Sequence, residues 1–273
     1  MPQKIEENII ESAVNYYKKN NISIVKCAKK FNIGATTLTR YLHSYQINTS
    51  GYDLRKYTYN KDFFENIDTE EKAYWLGFIA ADGCINSSLE ISLSYKDNNH
   101  LYKFLKHING QKEMISERWI KLRNKKYHVA RLIVSSKKII NDLKKHGISE
   151  RKSCTLEFPK LTNNLLRHYL RGYFDGDGSI STNGKYRNGS PKYALNLIAT
   201  ECFLEKFIFH MMNLGITRVS LQNRGPVKSW NKVGINQISI ILNYLYNDAN
   251  IYLDRKYQLS KEICRPISTL QKK

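Results

Sequence analysis

One element of this sequence occurs twice, and its recurrence decides what the chain can fold into. Residues 74–85 read YWLGFIAADGCI and residues 168–180 read HYLRGYFDGDGSI. In each, an apolar helical pattern runs into an acid followed by glycine. Asp82 matches Asp177 at a separation of 95 residues, Gly77 matches Gly172, Ala81 matches Gly176 and Gly83 matches Gly178. A repeat at that period implies two copies of one structural unit.

The placement of the acids needs a reason, because a helix ends in outward-pointing carbonyls and a partial negative charge. Gly77 with Ala81, and Gly172 with Gly176, are four residues apart and share one face of each helix. Small residues so spaced let two helix backbones approach closely. Packing these faces together brings Asp82 and Asp177 to one shared end. Two carboxylates at two helix C-termini are relieved by a divalent cation, Mg²⁺ or Mn²⁺, on hard oxygen donors. The expected ligands are Asp82 and Asp177, with the helix-end carbonyls of Ala81 and Gly176.

Around each motif the pattern predicts an α+β unit with antiparallel strands on one side of helices. In the first copy LEISLS at 89–94 alternates apolar and polar residues. A helix at 97–108, strands near 114–123 and 127–135 and a helix at 136–146 follow. In the second, a strand at 194–199, a helix at 201–213, strands near 217–223 and 233–241 and a short helix at 242–248 are expected. Ahead of both, residues 6–44 read as three short helices with a break at Asn32-Ile33-Gly34, and the third helix exposes Thr36, Thr37, Thr39 and Arg40. That is the pattern of a helix-turn-helix with a recognition helix. The expected domains are 1–45 (helix-turn-helix), 46–60 (a linker rich in Asn, Thr, Ser and Gly), 61–165 and 166–273.

Charge names the partner class. Lys and Arg number 44 against 24 Asp and Glu, a net charge of +20, which is the electrostatic footprint of a nucleic-acid binder. No stretch approaches a membrane span, and MPQKIEENII lacks a secretory core, so a soluble, intracellular protein is expected. Five scattered cysteines form no C-x-x-C, which argues against a disulfide framework or a zinc site and for buried, small apolar side chains.

The two motif copies, Trp75–Gly83 and Leu170–Gly178, together with the repeated basic α/β pattern over about residues 61–262, resemble the LAGLIDADG homing endonucleases in their two-motif, single-chain form. The resemblance implies two pseudo-symmetric αββαββα halves packed on their motif helices. It further implies saddle-shaped sheets straddling double-stranded DNA, and metal-dependent staggered cleavage at a long, non-palindromic site by a monomer. Asp82 and Asp177 match the family's metal-binding acid, whereas Ala80 departs from the sixth-position acid kept as Asp175. Lys152, 25 residues before Asp177, and Lys256 correspond to a lysine that organises water or stabilises charge in this family. Lys96, after the first hairpin strand, is a further catalytic candidate, though Thr200-Glu201 stands at the matching place. Groove-facing contacts are expected from Trp119, Lys121, Arg123 and Arg131 in the first half. Lys185, Arg187, Lys192, Gln222, Asn223 and Arg224 are the counterparts in the second. A non-cleaving DNA-binding regulator and an intron RNA maturase are the alternative readings on the same fold. The Met start and STLQKK end point away from a self-splicing element. A bacterial or phage-infected cytoplasm, or an organelle genome, is the expected setting.

Overall fold

The computed structural model describes residues 6–20, 22–47, 49, 57–150, 152–217 and 221–264. The chain divides into two compact units, Met1–Thr58 and Tyr59–Lys273. Positions 48 and 50–56 of the expected linker, and 218–220 of the expected strand at 217–223, lie outside the described residues.

The first unit contains three helices, α1 (Glu7–Lys19), α2 (Ile24–Lys30) and α3 (Ala35–Ser44). Their shared core is built from Ile10, Ala13, Val14, Tyr17, Cys27, Ala28, Leu38 and Leu42. Ser23 caps α2 by accepting from the Lys26 amide at 3.2 Å, satisfying one of the helix's orphan donors. In the break at Asn32-Ile33-Gly34 the left-handed residue is Asn32, at φ 54°, while Gly34 is an extended N-cap at φ −69°. Asparagine tolerates the left-handed region better than most side chains.

The second unit repeats one plan. The first copy runs α4 (Glu70–Asp82), β1 (Gly83–Ile85), β2 (Leu89–Ser94), α5 (Asn98–His107), β3 (Ile115–Leu122), β4 (Lys125–Val134) and α6 (Lys137–Lys145), closed by the single turn α7 (Lys152–Thr155). The second runs α8 (Asn163–Asp177), β5 (Ser179–Lys185), β6 (Pro191–Ala199), α9 (Glu201–Asn213), β7 (Leu221–Arg224), β8 (Val227–Val233), α10 (Ile235–Tyr246) and α11 (Asp254–Ile263). The sheets have the same order, β1-β2-β4-β3 and β5-β6-β8-β7, and every pairing is antiparallel. One face of each is buried: Ile91 lies opposite Leu132 and Leu93 opposite Ala130 in the first, and Leu197 opposite Trp230 in the second. The fold is therefore α+β in two copies preceded by a small helical unit.

Two expectations fail in the second copy. Residues 235–246 are helix rather than the strand expected at 233–241 and the short helix at 242–248, and the strand that pairs with β7 lies earlier, at Val227–Val233. The β-branched run INQISII suggested a strand, but the buried residues Ile238, Ile241, Leu242 and Leu245 follow the helical spacing, and burial on one face overrides local preference. Helix α11 was not anticipated. The cysteines also depart from expectation, with Cys27 buried, Cys264 half-buried, and Cys84 and Cys202 exposed. Among the described residues no helix is long and apolar enough to cross a membrane.

Candidate active site and nucleic-acid interface

Helices α4 and α8 pack backbone to backbone. A methyl group built on Gly77 would lie 2.0 Å from the Tyr169 carbonyl oxygen, and one on Gly172 would lie 2.0 Å from that of Tyr74. No side chain fits at either position, so the glycines permit the approach. Nearer the helix ends the contact is between Gly176 and Ala81, where an added methyl would stand 2.4 Å from the alanine's own and 3.5 Å from Cγ of Asp82. The two acids thus emerge side by side.

Their surroundings disfavour ionisation. Crowding by protein atoms, then repulsion from Asp177, pushes the Asp82 carboxyl up to about 6, against the pull of Lys256, Lys152 and Arg255. Asp177 is likewise raised by desolvation, with Lys152, Lys256 and the Tyr173 hydroxyl opposing. Both side chains nevertheless open to solvent. Among the described residues no cluster of three or more His, Cys, Asp or Glu side chains is found. A pair of hard-oxygen donors held together at two helix ends fits Mg²⁺ or Mn²⁺.

The lysines close the helix ends. Lys152, on α7, donates to the carbonyl of Ala80 at 2.8 Å and to that of Ala81. Lys256, on α11, donates to the carbonyls of Phe174 at 2.6 Å, Asp175 at 2.8 Å and Gly178. Each lysine therefore neutralises the negative end of its own half's motif helix. The long-range fields cross over: Lys152 is the chief cation acting on Asp177, and Lys256 the chief cation acting on Asp82. Burial depresses both ammonium groups, Lys256 to about 8. The Ala81 carbonyl, expected as a metal ligand, already accepts from Lys152, which leaves one of its lone pairs.

Lys96 does not join this group. It sits in a short 3-10 turn, Tyr95–Asp97, beside Asp254 and Arg255, and is not among the principal charges acting on either acid. Arg255 is the additional cation near Asp82, held by Asp97 at 2.9 Å. Sequence reading missed it because its pairing partner lies in the other half.

A second polar cluster ties the halves together behind the acids. The Asp175 carboxylate is buried and accepts from Tyr74 Oη at 2.7 Å, Tyr246 Oη at 2.5 Å and the Leu253 amide at 2.8 Å. Arg171, fully buried, donates to Ile251 O, Leu245 O and Glu70 Oε1. Buried charges survive only when partnered in this way.

Strand register sorts the expected DNA contacts. Trp119 pairs with His128 and Lys121 with Lys126, on the same face as the buried Ala130 and Leu132. That is the helix-packed side, where Trp119 stacks on His128 at 4.7 Å and His128 on Tyr95 at 4.1 Å. Arg123 is a left-handed turn residue at φ 45°, not a strand residue. Alternation along a strand gives two faces but not which one the helices cover; Trp119 and Lys121 fall on the face that carries Ala130 and Leu132, yet at this end of the sheet both are exposed, Trp119 to 68%. Arg131 does lie on the open face, opposite Ser116, where it forms a bidentate pair with Glu90. Arg118, which the sequence reading passed over, shares that face.

In the second sheet Gln222 and Arg224 point to the open face, while Asn223 pairs with Lys228 on the helix side. Lys185 and Lys192 flank the exposed β5–β6 turn that contains Arg187, and the Lys192 ammonium lies 5.2 Å from the Tyr186 ring centre. In α3, Thr36 and Arg40 are exposed and Thr37 half-buried, and Thr39 donates to the Ala35 carbonyl at 2.9 Å.

The two acid-ended helices, the doubled sheet order and the paired lysines define a protein made of two like α+β halves joined on their motif helices. Residues 164–238 match the family described as LAGLIDADG-like domain, and residues 70–145 repeat the plan of that stretch. A 121-residue stretch is 30% identical to the replication factor C small subunit of Methanocaldococcus jannaschii; it takes in 43% of this chain but spans only 6% of that protein. Among solved structures, meganuclease I-SmaMI bound to uncleavable DNA is 14% identical with a TM-score of 0.47, covering 70% of this chain and 88% of that one. LAGLIDADG meganuclease I-AabMI bound to uncleaved DNA is 14% identical with a TM-score of 0.46, covering 73% and 91%.

Proposed function

We propose that this chain is a site-specific DNA endonuclease that cuts both strands of a long, non-palindromic duplex, acting as a monomer with Mg²⁺ or Mn²⁺. The observation that supports this best is the meeting of Asp82 and Asp177 at the ends of two packed helices, each end closed by a buried lysine. Asp82 and Asp177 would hold the cation, which when bound supplies Lewis-acid stabilisation of the phosphate and a more acidic water.

The chain's own groups do the rest. Water adds to phosphorus and gives up one proton to solvent as the bond to one ester oxygen breaks, that oxygen leaves as a hydroxyl by taking a proton from solvent, and the extra negative charge that develops is stabilised by the fields of Lys152 and Lys256. Both lysines are fixed by backbone carbonyls and need no reorganisation at that moment. The basic surface supplies sequence-independent attraction to the duplex. Thr36 and Arg40 on α3 would add contacts away from the chemistry, and the open sheet faces would read bases.

Retention of both acids favours cleavage over a purely DNA-binding role. The test is to incubate the protein with a randomised duplex library and Mg²⁺ and sequence the ends produced. Site-specific double-strand breaks that vanish in EDTA, and in Asp82→Asn or Asp177→Asn while binding persists, are expected. Wild-type cutting by either variant refutes the assignment.

A further inference from the structure

The open face of the second sheet carries a set of neutral side chains locked to one another. Asn196 on β6 lies directly opposite Asn231 on β8, and Ser229 on β8 opposite Gln222 on β7. Asn196 Nδ2 donates to Ser229 Oγ and to Asn231 Oδ1, both at 2.7 Å. Asn231 Nδ2 donates to Gln222 Oε1 at 3.3 Å and to Ser229 Oγ at 3.4 Å. Ser229, though on the open face, is fully buried beneath these amides.

A donor and acceptor count fixes what the set presents outward. Both hydrogens of Asn196 are used, so only its Oδ1 acceptor remains. Asn231 has both amide hydrogens in use and keeps one lone pair on Oδ1. Gln222 has spent one lone pair of Oε1 and keeps the other, and its Nε2 amine has no partner among the described residues. The outward pattern is thus an acceptor at each of Asn196 and Asn231 and, beside them, a donor and an acceptor at Gln222. The first sheet differs at the equivalent places. Its register puts Glu90 where Asn196 stands and Arg131 where Ser229 stands, and those two form an ion pair.

We propose that this amide ladder is a base-reading surface selective for adenine: Gln222 pairs with the N6 and N7 edge of one adenine, and Asn196 Oδ1 accepts from the exocyclic amine of a neighbouring base. Adenine is the base whose major-groove edge offers one acceptor beside one donor, the complement of a carboxamide. Ser229 and Asn231 act as positioning residues, since they hold the two reading amides in the required orientation. This rests on the DNA reading above; the charge of +20 is what brings a duplex to the sheet.

The experiment uses the full chain and a randomised duplex library in EDTA, so that binding is selected without cleavage. Wild type is expected to select adenine at one position of one half-site. Gln222→Leu should lose roughly tenfold of that discrimination at that position alone, and Gln222→Arg should turn the preference to guanine. Ser229→Ala should blur the same position and its neighbour while total affinity and melting temperature hold, which separates orientation from folding. Gln222 is exposed, so its variants are expected to melt with wild type. Unchanged base profiles in both Gln222 variants overturn the ladder and leave DNA binding standing. A wild-type protein that selects no sequence overturns both.

Discussion

Substituting alanine for Gly172 tests the helix pairing on which the site depends. The new methyl would lie 2.0 Å from the Tyr74 carbonyl oxygen and 2.8 Å from the Phe78 amide nitrogen. Both are backbone atoms, so no side chain can swing away. Ordinary contact begins near 3.5 Å, so α4 and α8 must separate by about 1.5 Å, enough to forfeit roughly half of the dispersion at each facing atom pair. The Tyr74–Asp175 hydrogen bond, 2.7 Å long, spans the same seam, and a bond to a buried charge is worth about 1.5–3 kcal/mol. Packing and hydrogen-bond losses together come to about 3–6 kcal/mol. Alanine's better helix propensity returns about 1 kcal/mol. The net loss, about 2–5 kcal/mol, corresponds to a fall of about 4–20 °C in melting temperature for a unit of this size. Gly77→Ala should match it. Gly176→Ala should cost less, because its first obstacle is the Ala81 methyl at 2.4 Å rather than backbone. Thermal unfolding followed by circular dichroism decides the matter: a Gly172→Ala protein that melts with or above wild type refutes the close packing and the argument that the glycines bring the acids together.

Replacing Tyr74 with Phe should destabilise by about 1–3 kcal/mol by removing one of the three donors to buried Asp175; urea unfolding measures it, and a midpoint equal to wild type's counts against the network. Single-turnover cutting should rise with pH through about 6 as Asp82 ionises and fall above about 8 as Lys256 loses its proton, with added cation moving the acid limb lower; a flat profile refutes these assignments. The stability signs differ. Asp82's raised value contributes stability that is present below its ordinary 3.8 and lost as pH rises through about 6, whereas Lys256's depressed value makes stability increase with pH between about 8 and its ordinary 10.5. Arg40→Ala should weaken duplex binding and leave the cut positions unchanged; if Arg40 contacts a phosphate, the slope of log affinity against log salt should shrink by about one, and altered cut ends would exclude a purely binding role.

Much of the site was legible because it is written twice. Gly77, Ala81, Asp82 and their partners near Gly172 recur at one offset, and periodicity with residue size is enough to pair the helices. What failed depended on neighbours far along the chain. Ile238 and Ile241 looked like part of a strand at 233–241 because β-branched residues cluster there, and only the core they face makes them helical. Trp119 and Lys121 share a face with each other as alternation requires, but only strand pairing shows that it is the face of Ala130 and Leu132, which they extend beyond the core. Arg255 and the crossed fields of Lys152 and Lys256 join residues of different halves, for which no local spacing exists.

The buried cluster at Asp175 makes the halves unequal as interchangeable parts. Tyr169 is the second copy's version of Tyr74, and Asp175 has no counterpart because Ala80 occupies that place. Two second halves assembled as a twofold dimer would give every such tyrosine a carboxylate across the seam. Two first halves would leave each Tyr74 without one, its hydroxyl reduced to the contact with His100 now seen at 3.0 Å. In building hybrid proteins by exchanging halves, the carboxyl-terminal module is therefore the donor to reuse, and the amino-terminal one needs Ala80→Asp before it can stand opposite a copy of itself.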